Sequence, residues 1–355
     1  MTVESLPARP LPRVEPRGVS LRWRAGAALF LAGSLIVGLA VGPVHIGAGS
    51  IVTAALSHVP FLHVHSSLDA VQRAVLWQLR GPRVVLAALV GGMLAIAGSA
   101  YQGSFRNPLA DPYLLGVAAG AGLGATIAIA DGSAGTKSAI VPVAAFAGAT
   151  IAVVFTYALG RSAGSGRTTG ALILAGVTVT SFMTAAQTFV QQEHTNSLRD
   201  IFTWLLGGFS TATWHDVVIS APYILASSAV LILHRRVLDV LALGDEEAKS
   251  LGVDVGRTRL IIVTAATVGT AAAVSVSGLI GFVGIIVPHT VRLLVSTSYR
   301  AVVPLSLVVG GGFVVLTDVL ARTALSPSEL PIGVVTAFFG APFFAIVLRT
   351  SKAIR

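Results

Sequence analysis

Apolar residues in this chain do not alternate with polar ones. They run in blocks of about 20, the length an α-helix needs to cross the hydrocarbon of a bilayer. Ten such blocks can be marked, at residues 25–44, 84–103, 113–130, 139–159, 170–190, 217–233, 260–277, 279–296, 303–320 and 332–348. The seventh and eighth are nearly continuous, parted only by a turn at Gly278. The pattern predicts an all-α polytopic membrane protein with ten transmembrane helices. They form a single domain, residues 25–348, flanked by tails at 1–24 and 349–355. Arg83-Val-Val-Leu opens the second block and Arg259-Leu-Ile-Ile the seventh, each followed by a stretch rich in Gly and Ala. A repeat offset by five spans sets its copies in opposite orientations, so spans 2–5 and 7–10 read as a candidate inverted repeat.

Composition strengthens this picture. Of 355 residues, 54% are hydrophobic and only 11% charged, against about 25% charged in a soluble domain. Most of this surface lacks the polar coat that water requires. The 38 glycines and the 7% aromatic content fit helices that pack closely through small residues better than an aromatic-girdled barrel. With no cysteine, disulfides, thiolate metal sites and thiol catalysis are excluded.

The formal net charge of +9 would suit nucleic acid, yet membrane proteins collect Lys and Arg in cytoplasmic loops. With the amino terminus inside, 18 of the 24 basic residues fall on the cytoplasmic side. The outside keeps Arg73, Arg80, Arg83, Lys137, Arg199 and Arg322. Both termini are therefore expected in the cytoplasm of a multi-pass membrane protein, with no nucleic-acid partner. The Pro- and Arg-rich residues 1–24 lack a convincing cleavage site and read as a cytoplasmic tail.

One inside loop, residues 234–259, is the longest charged stretch in the chain. Leu243 and Leu251 stand among Asp245, Glu246, Glu247 and Lys249 at helical spacing. A solvated loop is one reading; the spacing favours an amphipathic helix that docks on a cytoplasmic partner.

Enzymatic chemistry finds little support. A phosphate-binding loop needs a lysine beside its last glycine, and no Gly-Lys dipeptide occurs; the nearest approach, Gly135-Thr-Lys-Ser, lies outside. Gly120-Ala-Gly-Leu-Gly124 imitates a dinucleotide fingerprint but sits inside an apolar block, where close helix packing explains it better. His63 and His65, outside, and His289, beside Pro288, lack a third ligand nearby. Asp318 and Arg322, four apart, read as a structural ion pair. No Ser-His-Asp constellation is visible, so no catalytic residue, metal or cofactor is expected in the chain itself.

Four long strings coincide with one family. They are Gln102-Gly-Ser-Phe-Arg-Asn-Pro-Leu-Ala-Asp-Pro-Tyr-Leu-Leu-Gly116; Leu243-Gly-Asp-Glu-Glu-Ala-Lys-Ser-Leu-Gly252; Gly278-Leu-Ile-Gly-Phe-Val-Gly-Ile-Ile-Val-Pro-His-Thr-Val-Arg292; and Glu329-Leu-Pro-Ile-Gly-Val-Val-Thr-Ala-Phe-Phe-Gly-Ala-Pro-Phe-Phe344. In this order, over residues 80–348, the chain resembles a FecCD-type permease, the membrane subunit of type II ABC importers for iron–siderophore complexes, haem and cobalamin. It departs from the family at Ser298-Tyr-Arg300, where Asp-His-Arg is usual, which alters a cytoplasmic loop contact.

The resemblance implies a homodimer or close heterodimer around a central pathway, in a bacterial cytoplasmic membrane and working by alternating access. Two separate ATPase subunits, holding ATP and Mg, would bind inside, and one substrate-binding protein would dock outside. The expected cargo is an iron chelate (ferric siderophore or haem), with cobalamin second. ATPase coupling would fall to Leu243, Gly244, Asp245, Glu246, Ala248, Leu251 and Gly252. A cytoplasmic gate would form from Asn107, Pro108 and Leu109 with Thr168 and Thr169, Pro108 fixing the turn and Leu109 plugging it, unless this is a plain loop turn. Thr178, Ser181, Thr184, Gln187 and Thr336 would line the pathway, or equally make packing hydrogen bonds. Arg80, Arg83 and Arg322 would dock the binding protein, or merely anchor helix ends. Gly81-Pro82 is expected to keep Arg80 and Arg83 off one regular helix. An ion-coupled secondary transporter would normally carry an ionisable residue at mid-membrane, and the ten blocks hold almost none. A structural membrane scaffold is the remaining alternative, separated by an uptake assay.

Overall fold

The computed structural model describes residues 19–44, 46–57, 67–131, 140–162 and 169–352. Among these the regular structure is helical: α1 (Leu21–Ala40), α2 (Ala48–Leu56), α3 (Ala70–Ala74), α4 (Gly81–Phe105), α5 (Val117–Ala130), α6 (Ile140–Ser162), α7 (Thr169–Glu193), α8 (Leu198–Leu205), α9 (Trp214–Leu233), α10 (Arg235–Leu243), α11 (Asp245–Ser250), α12 (Val255–Ser277), α13 (Val283–Leu294), α14 (Tyr299–Thr323) and α15 (Ile332–Lys352).

Among the described residues seven helices are long and apolar enough to span a bilayer, and Val117–Ala130, Val283–Leu294 and Ile332–Val347 are shorter apolar helices. The shortening has local causes. The third expected span opens at 113, but Asp111 accepts a hydrogen bond from the Tyr113 amide and holds a turn there, so α5 starts only after Gly116. The eighth was expected from 279; positive φ at Gly278 and Phe282 keeps the linker non-helical until Val283.

Gly81-Pro82 does not interrupt the chain as expected. Residues Ala70–Phe105 run as one long helical segment, with a π-turn at Val75–Arg80 in which the Gly81 amide bonds Leu76 O, five residues back. Pro82 then sits in the first turn of α4, where a missing N–H costs little. The wider turn absorbs the irregularity that a proline would otherwise turn into a break.

The core is built around α4, whose side chains are buried over most of its length. Its glycines set the packing distances: a Cβ at Gly91 would meet Gly310 of α14, and one at Gly98 would meet Gly284 of α13. Gly120 and Gly124 of α5 likewise lie against Gly148 and Ala144 of α6, which is the close packing read from that glycine run. On the periphery, α7 exposes Leu174, Val177, Phe182 and Phe189, and α15 exposes Val334, Phe338, Phe339 and Ile346. Such a surface suits lipid or an apolar partner, not water.

Candidate functional site

Charge gathers at both ends of α4, and most of the functional residues expected from sequence fall at these two clusters or on α7.

At its amino-terminal end, Arg80 turns inward. Its guanidinium donates to Leu39 O (2.9 Å), Ala40 O (2.9 Å) and Val44 O (2.6 Å). These carbonyls lie at and beyond the end of α1, where helical partners run out, and a cation complements the helix dipole there. Arg80 is only 5% exposed. Arg83 points the other way, making a bidentate bond to Asp318 (2.8–3.0 Å) and a second pair of bonds to Glu329 (2.9 and 3.0 Å). Arg322 stands 3.6 Å from Asp318, the pair expected from their spacing, and donates to Gly38 O (2.5 Å). Asp318 is buried between two arginines. Within one chain the three expected docking arginines are thus largely engaged, and Glu329 is the exposed edge of the cluster.

At the carboxyl-terminal end, α4 stops at Arg106, which adopts a left-handed conformation, and the Asn107-Pro108-Leu109 turn follows. The Asn107 side chain accepts the Leu109 amide (2.9 Å), and Ala110 N returns to Asn107 O (3.0 Å). Leu109 is left exposed at the tip. Gln102 ties the turn inward, donating to Gly284 O (3.0 Å) and accepting from Arg292 (2.5 Å). Thr168 lies outside the described residues, and Thr169 is the first residue of α7.

Beside this turn stands the charged segment read as a coupling element. It forms two short helices, α10 and α11, hinged at Gly244, whose φ of +145° and whose closeness to the Glu247 carboxylate leave no room for a side chain. Asp245, Glu246 and Glu247 occupy the first turn of α11, where negative charge suits the helix end. The helix closes with Gly252 at φ +83° and bonds from Gly252 N to Lys249 O and Val253 N to Ala248 O, a Schellman arrangement. Ala248 is buried, while Leu243 and Leu251 remain more than 60% exposed.

Asp245 connects this segment to the core. It accepts two bonds from Arg259 (2.9 and 3.3 Å) and lies 3.6 Å from Arg106. Arg259, buried at the start of α12, also donates to Ser104 O near the end of α4 (3.0 Å). That hydrogen bonding holds the Asp245 carboxyl below the usual carboxylate range. One buried guanidinium thus bonds α11 to the last turn of α4, next to the Asn107 turn. Sequence reading named Asp245 but not Arg259 or Gln102 as anchors; the available signal was a polar residue at the edge of an apolar block.

On α7, Thr178 and Ser181 are exposed and bond back to their own helix at Leu174 O (2.9 Å) and Val177 O (3.0 Å). Thr184 shares the exposed face, whereas Gln187 is half-buried with its carbonyl near Gly122. Thr336 is fully buried and bonds Gly333 O (3.1 Å), so it does not share the exposed face of α7. His289, half-buried, meets Phe343 edge-on at 5.8 Å, and the His63–His65 pair lies outside the described residues.

Residues 29–350 match the model of the FecCD transport family. The chain belongs to that family. The permease is 38% identical to the cobalamin import system permease of Halobacterium salinarum, covering 93% of this chain and 96% of that one. It is 37% identical to the hemin transport system permease of Yersinia pestis, covering 89% and 93%. Among solved structures, an inward-facing metal-chelate type ABC transporter superposes with a TM-score of 0.81 at 29% identity, over 93% of this chain and 100% of that one. The protein is thus the integral-membrane, transport subunit of an ABC importer, and ATP binding in such importers belongs to partner ATPases.

Proposed function

We propose that this permease carries a metal-centred chelate, a ferric siderophore or haem, inward across the membrane by alternating access. Two copies, each of ten spans arranged as an inverted repeat, enclose the pathway, with both termini in the cytoplasm. Two ATPase subunits bind at α10–α11, and a substrate-binding protein docks at the opposite end. The observation that supports this mechanism best is the bond chain Asp245–Arg259–Ser104, which joins a solvent-facing acidic helix to the deepest helix of the core.

In this reading Leu243 and Leu251 seat in a groove of the ATPase. Closure of the ATPase pair moves α11, and Arg259 and Arg106 carry the motion to the end of α4. There Leu109, with Thr168 and Thr169 at the start of α7, opens or shuts the inner mouth. Thr178, Ser181 and Thr184 face the pathway, where the first two, with hydroxyls satisfied by their own backbone, offer cargo only weak contacts. Gln187 and Thr336 reach it only if α7 and α15 move. Docking through Arg80, Arg83 and Arg322 requires a carboxylate of the binding protein to take the place of Glu329 beside Arg83.

Cobalamin is the second cargo reading, favoured by the 38% identity to the Halobacterium salinarum permease. Reconstituting the permease with its ATPase and binding protein in proteoliposomes, and supplying ferric siderophore, haem or cobalamin in turn, decides between them. ATP-dependent accumulation of a ferric siderophore or haem is expected. Accumulation of cobalamin alone selects the second reading, and accumulation driven by an ion gradient without ATP overturns both.

A further inference from the structure

A second basic site borders the coupling segment and shares Arg235, the first residue of α10, with it. Arg24 of α1, Arg235 of α10 and Arg300 of α14 line a cavity of about 320 Å³ whose floor is Ala27, Pro304, Leu305 and Val308. Three helices converge to place three guanidiniums at one end of the membrane-spanning helices, the end that also carries α10. Asp239 offsets one of these charges, 3.6 Å from Arg300, but it is mainly held by Ser298 Oγ (2.8 Å) and the Tyr299 amide (2.6 Å). Arg235 donates to Ile232 O (2.9 Å) and keeps further donors free. Arg24 is exposed and has no side-chain partner among the described residues.

Below the arginines the cavity is walled by apolar side chains, Ala27, Ala28, Pro304, Leu305 and Val308. From Arg300 to Val308 it follows α14 for roughly 12 Å at the helical rise, against about 15 Å for half the hydrocarbon thickness. Arginines at the head of such an apolar wall match one ligand chemistry, a phosphate carrying an acyl chain.

We propose that this groove binds one anionic phospholipid, its phosphate held by Arg24, Arg235 and Arg300 and the start of an acyl chain lying along the apolar wall beneath them. The site depends on the protein being embedded in a membrane, and not on which cargo is carried. A bound lipid clamps α1 to α10 and α14, and so braces the flank of the bundle beside the moving segment.

Full-length protein, stripped of lipid in detergent, is incubated with phosphatidylglycerol or phosphatidylcholine and examined by native mass spectrometry. Phosphatidylglycerol should be retained, and phosphatidylcholine should not. Arg24→Gln alone, at an exposed position, should weaken retention about fivefold, the worth of one basic side chain at an anionic surface. Arg24→Gln/Arg235→Gln/Arg300→Gln should abolish retention. Val308→Trp, which fills the apolar part of the cavity while keeping every charge, should also lower it, whereas Arg161→Gln/Arg257→Gln, at another basic cavity, should not. Equal retention of both lipids, unchanged retention in Arg24→Gln and the triple variant, or release of the lipid by millimolar inorganic phosphate alone would overturn the proposal.

Discussion

Arg80 shows what a single residue can hide from sequence. Its position at the outer end of an apolar block suggests a surface charge, yet its guanidinium closes three carbonyls around the end of α1. No spacing rule predicts this, because the partners lie some 40 positions away and meet only in the fold. Arg80→Leu should lower stability by about 3 kcal/mol, since buried carbonyls lose a charged donor, and this is read as a fall in the thermal midpoint in detergent. Arg80→Lys should restore only part of the loss, because an ammonium cannot fork across three acceptors. A residue that served docking alone would leave the midpoint unchanged. Asp245 supports a pH prediction. Its folded-state pKa is depressed by Arg259, so the bond contributes fully above the unfolded value and is lost as pH falls through the lower, folded one. Amide-exchange protection of α11 should therefore stay level from about pH 5 to 8 and decline only below roughly pH 4. A decline centred near neutrality would show that another group governs the segment.

Elements were the most legible level, because a block of apolar residues and a capping glycine act locally. The ends of α11 at Gly244 and Gly252 coincide with the string read as helical. The Gly120–Gly124 run packs as small residues do. Less legible were α5 and α13, whose starts are set by a turn at Asp111 and a bend at Phe282, and α8, whose short amphipathic sequence is neither a span nor a recognisable loop. Gly244→Ala should strain α11 by about 1–2 kcal/mol and misalign it. ATP hydrolysis of the assembled complex should persist while uptake falls. Leu251→Asp should give the same separation for a different reason, loss of an apolar anchor, with the permease still folded by its melting curve. Uptake at the wild-type level in both variants would remove α11 as the coupling element.

For the whole molecule, the family and its importer role were legible because four strings stand in order along the chain. The candidate sites were legible only as positions. Which arginine faces which carboxylate depends on packing, and the gate proposed at Leu109 takes shape only where two copies meet. Cysteines at Leu109 should crosslink between two copies when the inner mouth is closed and should stop doing so when it opens; crosslinking in both states would make the turn a static contact. The central claim is that motion of the ATPase reaches the gate through Asp245 and Arg259. It is tested most directly by the number of cargo molecules imported per ATP hydrolysed, in proteoliposomes holding the complete transporter with Asp245→Asn against wild type. Losing a charge-assisted bond of this kind should cut that ratio by about tenfold while hydrolysis continues. An unchanged ratio would contradict the account.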